Sequence, residues 1–303
     1  MLFTAKLRPG SRLSQRHVGT LQMLVGTILI SFSAVFVKVS HIGPTMAGFY
    51  RMLFGAAFLL VVVLVKREAM WRGWAPLWLA VAAGAFFAGD LISWHRSIHY
   101  VGPGLATVLA NFQVIFLAVI GVVVFRERAT WQFFVSIPLA IAGLFLLVGV
   151  DWGSLAPRYK TGVGLGLFCA VMYTFYLLVL RRSQQRETRL MPTANLTIIT
   201  LVTTSILAAA GFGQGESFAI VDAQTAWALV AYGVLCQAVG WIVISWAVTK
   251  IEASRVGLLL LLQPTLTFIW DILFFQRPTT SVEILGALLT LTAIYFGSMR
   301  RAS

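Results

Sequence analysis

The feature that most constrains this chain is a run of ten apolar stretches, each about 20 residues long and separated by short polar breaks. They lie near 18–38, 44–65, 76–95, 103–125, 130–149, 161–180, 192–212, 224–246, 254–275 and 280–299. A bilayer's hydrocarbon core is about 30 Å thick and a helix rises about 1.5 Å per residue, so each stretch is long enough to cross it. Only 11% of the 303 residues are charged, against about 25% in soluble globular proteins, which excludes an ordinary soluble enzyme. The 59% hydrophobic content likewise excludes a disordered or collagen-like chain. The expected fold class is all-α integral membrane, with ten transmembrane helices.

The net charge of +13 does not indicate nucleic-acid binding, because the basic residues sit between apolar runs and form no basic domain. Their placement is topological. With the N-terminus inside, Lys6, Arg8, Arg12, Arg16, Lys66, Arg67, Arg72, Arg126, Arg128, Arg181, Arg182, Arg186, Arg189, Lys250, Arg255, Arg300 and Arg301 fall on the cytoplasmic side. The other side holds Lys38, Arg96, Arg158, Lys160 and Arg277, and Arg51 remains for the membrane interior. Basic loops stay cytoplasmic, so both termini are placed there, in a cell (inner) membrane. Residues 1–17 are basic, acid-free and without an apolar run. They read as a cytoplasmic tail followed by an uncleaved signal anchor, ahead of the alternative of an organellar transit peptide.

An offset of 150 residues lays one half of the chain on the other. It places Arg126-Glu127-Arg128-Ala129-Thr130 on Gln276-Arg277-Pro278-Thr279-Thr280 and Gln113 on Gln263, while Ile92-Ser93-Trp94 recurs as Ile244-Ser245-Trp246 and Pro44-Thr45 as Pro192-Thr193. Each half has five spans, an odd number, so the copies enter the membrane in opposite orientations as two inverted five-helix repeats. The units run 18–149 and 161–299, with an external linker at 150–160 and a cytoplasmic end at 300–303.

Ionisable side chains within spans are expensive and call for a cavity, a partner or a function. Arg51 and Asp90 both fall in the outer half of the membrane, in antiparallel spans two and three. Arg51 offers a planar fork to a substrate carboxylate while Asp90 holds that fork or exchanges a proton; a permanent structural ion pair has even standing. Asn111, Gln113 and Gln263 sit at matching depths of spans four and nine, and Pro264 marks a candidate hinge. Tyr173, Tyr176, Gln237 and Trp241 complete a candidate substrate site able to stack on an aromatic or cationic solute. Thr197, Thr200, Thr203 and Thr204 are read as bonding their own helix carbonyls, and Trp94, Trp246 and Trp270 as interface anchors. His95 and His99 share a helical face, but no Glu intervenes and no third ligand lies obviously nearby, so an external helix end bearing two histidines is the reading ahead of a metal site. Cys169 and Cys236 lie in apolar runs and indicate neither a disulfide framework nor a cysteine metal site. The chain has no Walker motif, phosphate-binding glycine loop or nucleophile elbow, so no cofactor or ATP is expected.

Ten spans in two five-helix halves, the Arg126-Glu127-Arg128 hairpin after span four, and Arg51 in span two (Pro44-Thr45-Met46-Ala47-Gly48-Phe49-Tyr50-Arg51) together resemble the EamA-type family of the drug/metabolite transporter superfamily. The resemblance covers about residues 18–300. It implies export or exchange of a small organic metabolite, such as an amino acid, by alternating access without ATP. The second hairpin departs from the pattern at Gln276 and Pro278, and span seven has no Arg. The partners implied are a small-molecule substrate, protons as coupling ion and membrane lipids, with homodimerisation open. The rival reading is a membrane-embedded lipid or acyl transferase using His95 or Asp90.

Overall fold

The computed structural model describes residues 9–127, 130–148, 157–185, 189–276 and 279–298. The first eight residues, most of the 150–160 linker, Arg128, Arg186, Arg277, Pro278 and the C-terminal 299–303 lie outside them, as do the side chains of His99 and Asp271. The described residues are helices and short connections, with no strand among them. Seven helical stretches are long and apolar enough to cross a membrane, and three shorter apolar helices of 10–17 residues accompany them.

In chain order the helices are α1 (Pro9–Ser31), α2 (Ser33–Val39), α3 (Pro44–Val65), α4 (Trp74–Ala110), α5 (Gln113–Val123), α6 (Trp131–Val148), α7 (Pro157–Gln185) and α8 (Pro192–Gln214). They continue with α9 (Ala223–Ala231), a π-helical segment (Tyr232–Gly240), α10 (Trp241–Ala247), α11 (Ala253–Leu260), α12 (Leu262–Phe275) and α13 (Ser281–Ser298). The helix starts have local causes. Pro44 and Pro192 open α3 and α8, where a missing N–H costs nothing. Asp222 caps α9 by accepting from Thr225 N at 2.7 Å. The break between α1 and α2 at Phe32 is flanked by Ser31 and Ser33, whose hydroxyls donate back to Ile28 O and Ile30 O, bonds of the kind that bend helices.

Spans three and four were expected as separate helices, 76–95 and 103–125. Instead α4 is helical throughout Trp74–Ala110, and its contacts show that the chain turns back sharply within that span. A Cβ on Gly166 of α7 would touch both Ser97 and Leu109, residues that a straight helix would hold about 18 Å apart. Along α7, Gly162 meets Val101, Cys169 meets Asp90 and Phe175 meets Phe86, an antiparallel order. Beyond the fold-back the order is parallel, with Leu109 at Gly166 and Phe125 at Arg181. The interruption in the fourth stretch comes later, at Asn111 and Phe112, and its counterpart at Leu261 separates α11 from α12.

Helix packing follows the 150-residue offset. The helices α3 and α8 pack on each other, as do α6 and α13, each against its own counterpart. Likewise α4 packs on α7 as the π segment and α10 pack on α1. In the α6–α13 contact Thr290 Oγ1 donates to Ala140 O, 150 residues away. Arg126 and Gln276, also one offset apart, both adopt left-handed backbone with φ near 50°. At one end of the bundle Arg16 pairs with Glu252 at 2.8 Å and Lys250 Nζ donates to Gln22. At that same end Glu127 accepts from Ala253 N, Ser254 N and Ser254 Oγ at the start of α11. At the opposite end His41 meets Asp222 at 2.7 Å and Gln224 donates to Val39 O.

Candidate functional site

Two glycines set the site's geometry. A Cβ on Gly233 would lie 2.7 Å from Gly55 N, and a Cβ on Gly55 would lie 2.7 Å from Gln237 Cγ. With neither present, α3 and the π segment approach at backbone distance, the close crossing that small residues permit between membrane helices. Arg51, one turn before Gly55, thereby reaches the π segment. Its Nε donates to Gln237 Oε1 at 3.1 Å and its Nη1 to the Tyr232 hydroxyl at 3.2 Å.

The π geometry makes this double contact possible. Tyr232 and Gln237 are five residues apart, which an α-helix of 3.6 residues per turn would splay by about 140°. A ladder of i→i+5 bonds brings such residues onto neighbouring positions, where one guanidinium meets both. Gln237 Nε2 in turn donates to Thr200 Oγ1 at 3.2 Å, and Thr200 donates to Leu196 O at 2.7 Å. The polar chain therefore crosses from α3 through the π segment to α8.

An aromatic box adjoins Arg51. Phe87 stacks on Tyr176 with centroids 4.4 Å apart, and Trp241 stands edge-on to both. Tyr173 completes the group against Tyr176 and Trp241. The guanidinium carbon of Arg51 lies 5.0 Å from the Tyr232 ring centre and 6.0 Å from that of Phe87, within cation–π range. Inside this box the Tyr176 hydroxyl and Trp241 Nε1 are buried without a hydrogen-bond partner among the described residues. Buried donors are normally satisfied, so two orphans facing one box mark a place for an acceptor.

Asp90 is buried beside the box and accepts from Cys169 Sγ at 2.9 Å. The expected Arg51–Asp90 pair is not a direct one: no ion pair within 4.0 Å joins them among the described residues, and each has another partner. They remain within electrostatic reach of each other, and Tyr173 is within reach of both. The pairing fails because the π segment draws the guanidinium towards Gln237 and Tyr232 while α7 presents Cys169 to the carboxylate.

Of the nine expected site residues, Arg51, Asp90, Tyr173, Tyr176, Gln237 and Trp241 converge here. Asn111 instead donates to Thr107 O in its own helix. Gln113 is buried at the start of α5 with both amide atoms unpartnered, and no hydrogen bond joins it or Gln263 to the cluster. The four threonines of α8 bond carbonyls one turn back as expected, with Thr200 also receiving Gln237. Trp270 Nε1 donates to Ser31 Oγ at 2.8 Å. His95 is buried next to Gly48 and the Trp94 ring. Among the described residues no group of three or more His, Cys, Asp or Glu is placed to hold a metal. Sequence reasoning missed Phe87, Cys169, Thr200 and Tyr232, whose residue types are unremarkable in apolar runs.

The cluster draws Arg51, Phe87 and Asp90 from one half of the chain and Cys169 to Trp241 from the other, and the fold that brings them together is shared by a known structure. A solved structure titled "Crystal structure of protein" has the same fold, with a TM-score of 0.81 at 17% identity, covering 93% of this chain and 97% of its own. An uncharacterized transporter, sll1319 of Synechocystis sp., is 24% identical over 275 residues, covering 88% of this chain and 79% of that protein. The model of the EamA-like transporter family matches twice, at residues 17–149 and 160–299. This multi-pass membrane protein, built of two such units, belongs to the EamA-like transporter family.

Proposed function

We propose that this chain is a secondary active transporter that exports or exchanges a small organic metabolite bearing a carboxylate, such as an amino acid or a related compound. Ten crossings form two five-helix units of opposite orientation, with both termini in the cytoplasm of a cell whose inner membrane holds the protein. The matched packing of helices one offset apart supports this topology, and the distribution of basic residues supports its orientation.

The observation that carries the reading is Arg51, a buried guanidinium held by two neutral groups and by no carboxylate within ion-pair distance among the described residues. A buried charge with no counter-charge in direct contact is costly. A substrate carboxylate arriving at Arg51 supplies that counter-charge through paired hydrogen bonds. The aromatic box takes the rest of the solute, and the Tyr176 hydroxyl and Trp241 Nε1 donate to its acceptors. Because the cluster spans both halves, rocking one half against the other exposes it to each side in turn. When substrate engages Arg51, Asp90 loses part of its compensation and takes up a proton, which couples flux to the proton gradient.

Proteoliposomes loaded with labelled carboxylate metabolites test this. Arg51→Lys keeps the charge but loses the planar fork, so flux of the transported solute falls sharply while the protein folds normally. Undiminished flux through Arg51→Lys refutes the assignment. The transferase reading is not favoured, since the family and the relative are both named as transporters.

A further inference from the structure

Although α5 and α6 are joined by a hairpin, they pack elsewhere, α5 on α11 and α7, and α6 on α13 and α4. Between them lies a groove of about 600 Å³ lined from end to end by apolar side chains. That size lies within the range of about 300–1,000 Å³ typical of ligand pockets. The groove opens sideways, with Val119, Val123 and Phe134 on its rim more than half exposed.

The other half of the molecule shows what would ordinarily fill such a space. At the 150-residue offset, groove residues Ala118, Val122 and Ile137 correspond to Phe268, Ile272 and Ala287. Phe268 and Ala287 are buried and form a small core with Ile272 packed on it. In the second half the phenylalanine ring of Phe268 packs on the small Ala287, whereas in the first half the larger side chain is Ile137 and Ala118 offers only a methyl group, with the groove open between them. Pro138, inside α6 and lining the groove, stands where the second half has Leu288.

We infer that the groove between α5 and α6 binds one acyl chain of an anionic phospholipid whose headgroup lies at Arg126. The dimensions fit one leaflet. The 11 residues of α5 span about 16 Å, close to half of a hydrocarbon core of about 30 Å. The groove runs from Phe112 at the start of α5 to Val123 at its end, beside the hairpin. Exposed Trp131 stands at the hairpin end, where tryptophan marks the membrane interface. Charge selects the headgroup. Arg126 is exposed and has no ion pair among the described residues, and Arg181 lies over the neighbouring Phe125 ring. The nearby acid, Glu127, is already occupied by α11 and Arg181. A lipid phosphate at this end meets net positive charge, as at other basic lipid sites.

Native mass spectrometry of the full chain in mild detergent tests the inference, with phosphatidylglycerol and phosphatidylcholine added in turn. The parent chain is expected to retain one phosphatidylglycerol at least tenfold more tightly than phosphatidylcholine. Ala118→Phe, which copies the chain's own second half, is expected to abolish that retention while the melting temperature holds or rises. Arg126→Gln should remove the preference between the two lipids. If Ala118→Phe does not fold, Ala142→Phe on the opposite wall is judged by the same criterion. Unchanged phosphatidylglycerol retention by the folded plugging variant, or equal retention of both lipids by the parent chain, overturns the inference.

Discussion

Replacing Gly233 by alanine should disable the site without touching any group that meets substrate. The added methyl would lie 2.7 Å from Gly55 N, 2.7 Å from Phe54 Cβ and 3.0 Å from Arg51 O, against about 3.5 Å for a relaxed contact. Two of these are backbone atoms of α3, so the strain cannot be relieved by a side-chain rotation. The helices must part by roughly half an ångström or more. The Arg51 bonds to Gln237 and Tyr232, at 3.1 and 3.2 Å, already sit at the long end of the usual range and would pass beyond about 3.5 Å. Overpacking costs about 1–3 kcal/mol and each bond to a charged group about 1.5–3 kcal/mol, so a partial loss of both gives about 2–4 kcal/mol. The melting temperature in detergent should drop, and flux per folded molecule should fall roughly 10²-fold as the guanidinium loses its position. Gly213→Ala is the control, since a Cβ there meets nothing within 4 Å. Parental melting and flux in Gly233→Ala would refute the argument that the glycine crossing positions Arg51.

Three further outcomes are expected. Cysteine placed at exposed Gln214 should react with an impermeant thiol reagent from outside and one at exposed Gln185 should not, with little background because Cys169 and Cys236 are buried; reversed labelling refutes the orientation. Asp90→Asn should leave substrate exchange but remove its dependence on a pH gradient, and flux that still follows the gradient would place the coupling elsewhere. The Thr225 amide, then His41, holds Asp222 below its ordinary value of 3.8. The stability this adds is therefore present above that value and lost as pH falls through the lower folded one, a decline that melting curves of Asp222→Ala should lack.

Most of the fold was legible because hydropathy reports membrane crossings directly, and the 150-residue echo reported the duplication. The turn within α4 was legible as the break between spans three and four, beside Gly102-Pro103-Gly104; that helix continues through it was not. Arg51 and Asp90 stood out because a charge inside an apolar run is rare. Tyr232 did not, because on a helix of regular pitch it points away from Gln237. The π register that reunites them coincides with the close packing at Gly55 and Gly233 and leaves no periodic trace. Asn111 misled because an amide at the right depth looks the same whether it faces a cavity or its own helix.

The two acids that finish helices across the molecule bear on how the chain is made. Glu68 accepts from Ala194 N at the start of α8, and Glu127 from Ala253 N and Ser254 N at the start of α11. Both acids are in the first half and both helices in the second, and the offset partner of Glu127 is Arg277, a residue with no acceptor to return the favour. For these two helix starts the caps follow the order of synthesis, while the ends of α1 and α2 take donors from the second half, at Thr267 and Gln224. Each carboxylate is synthesised before the amides it caps, and the ends of two first-half helices wait in turn for second-half donors, so the halves complete each other. Two halves made as separate polypeptides should therefore each leave helix ends unsatisfied until they meet.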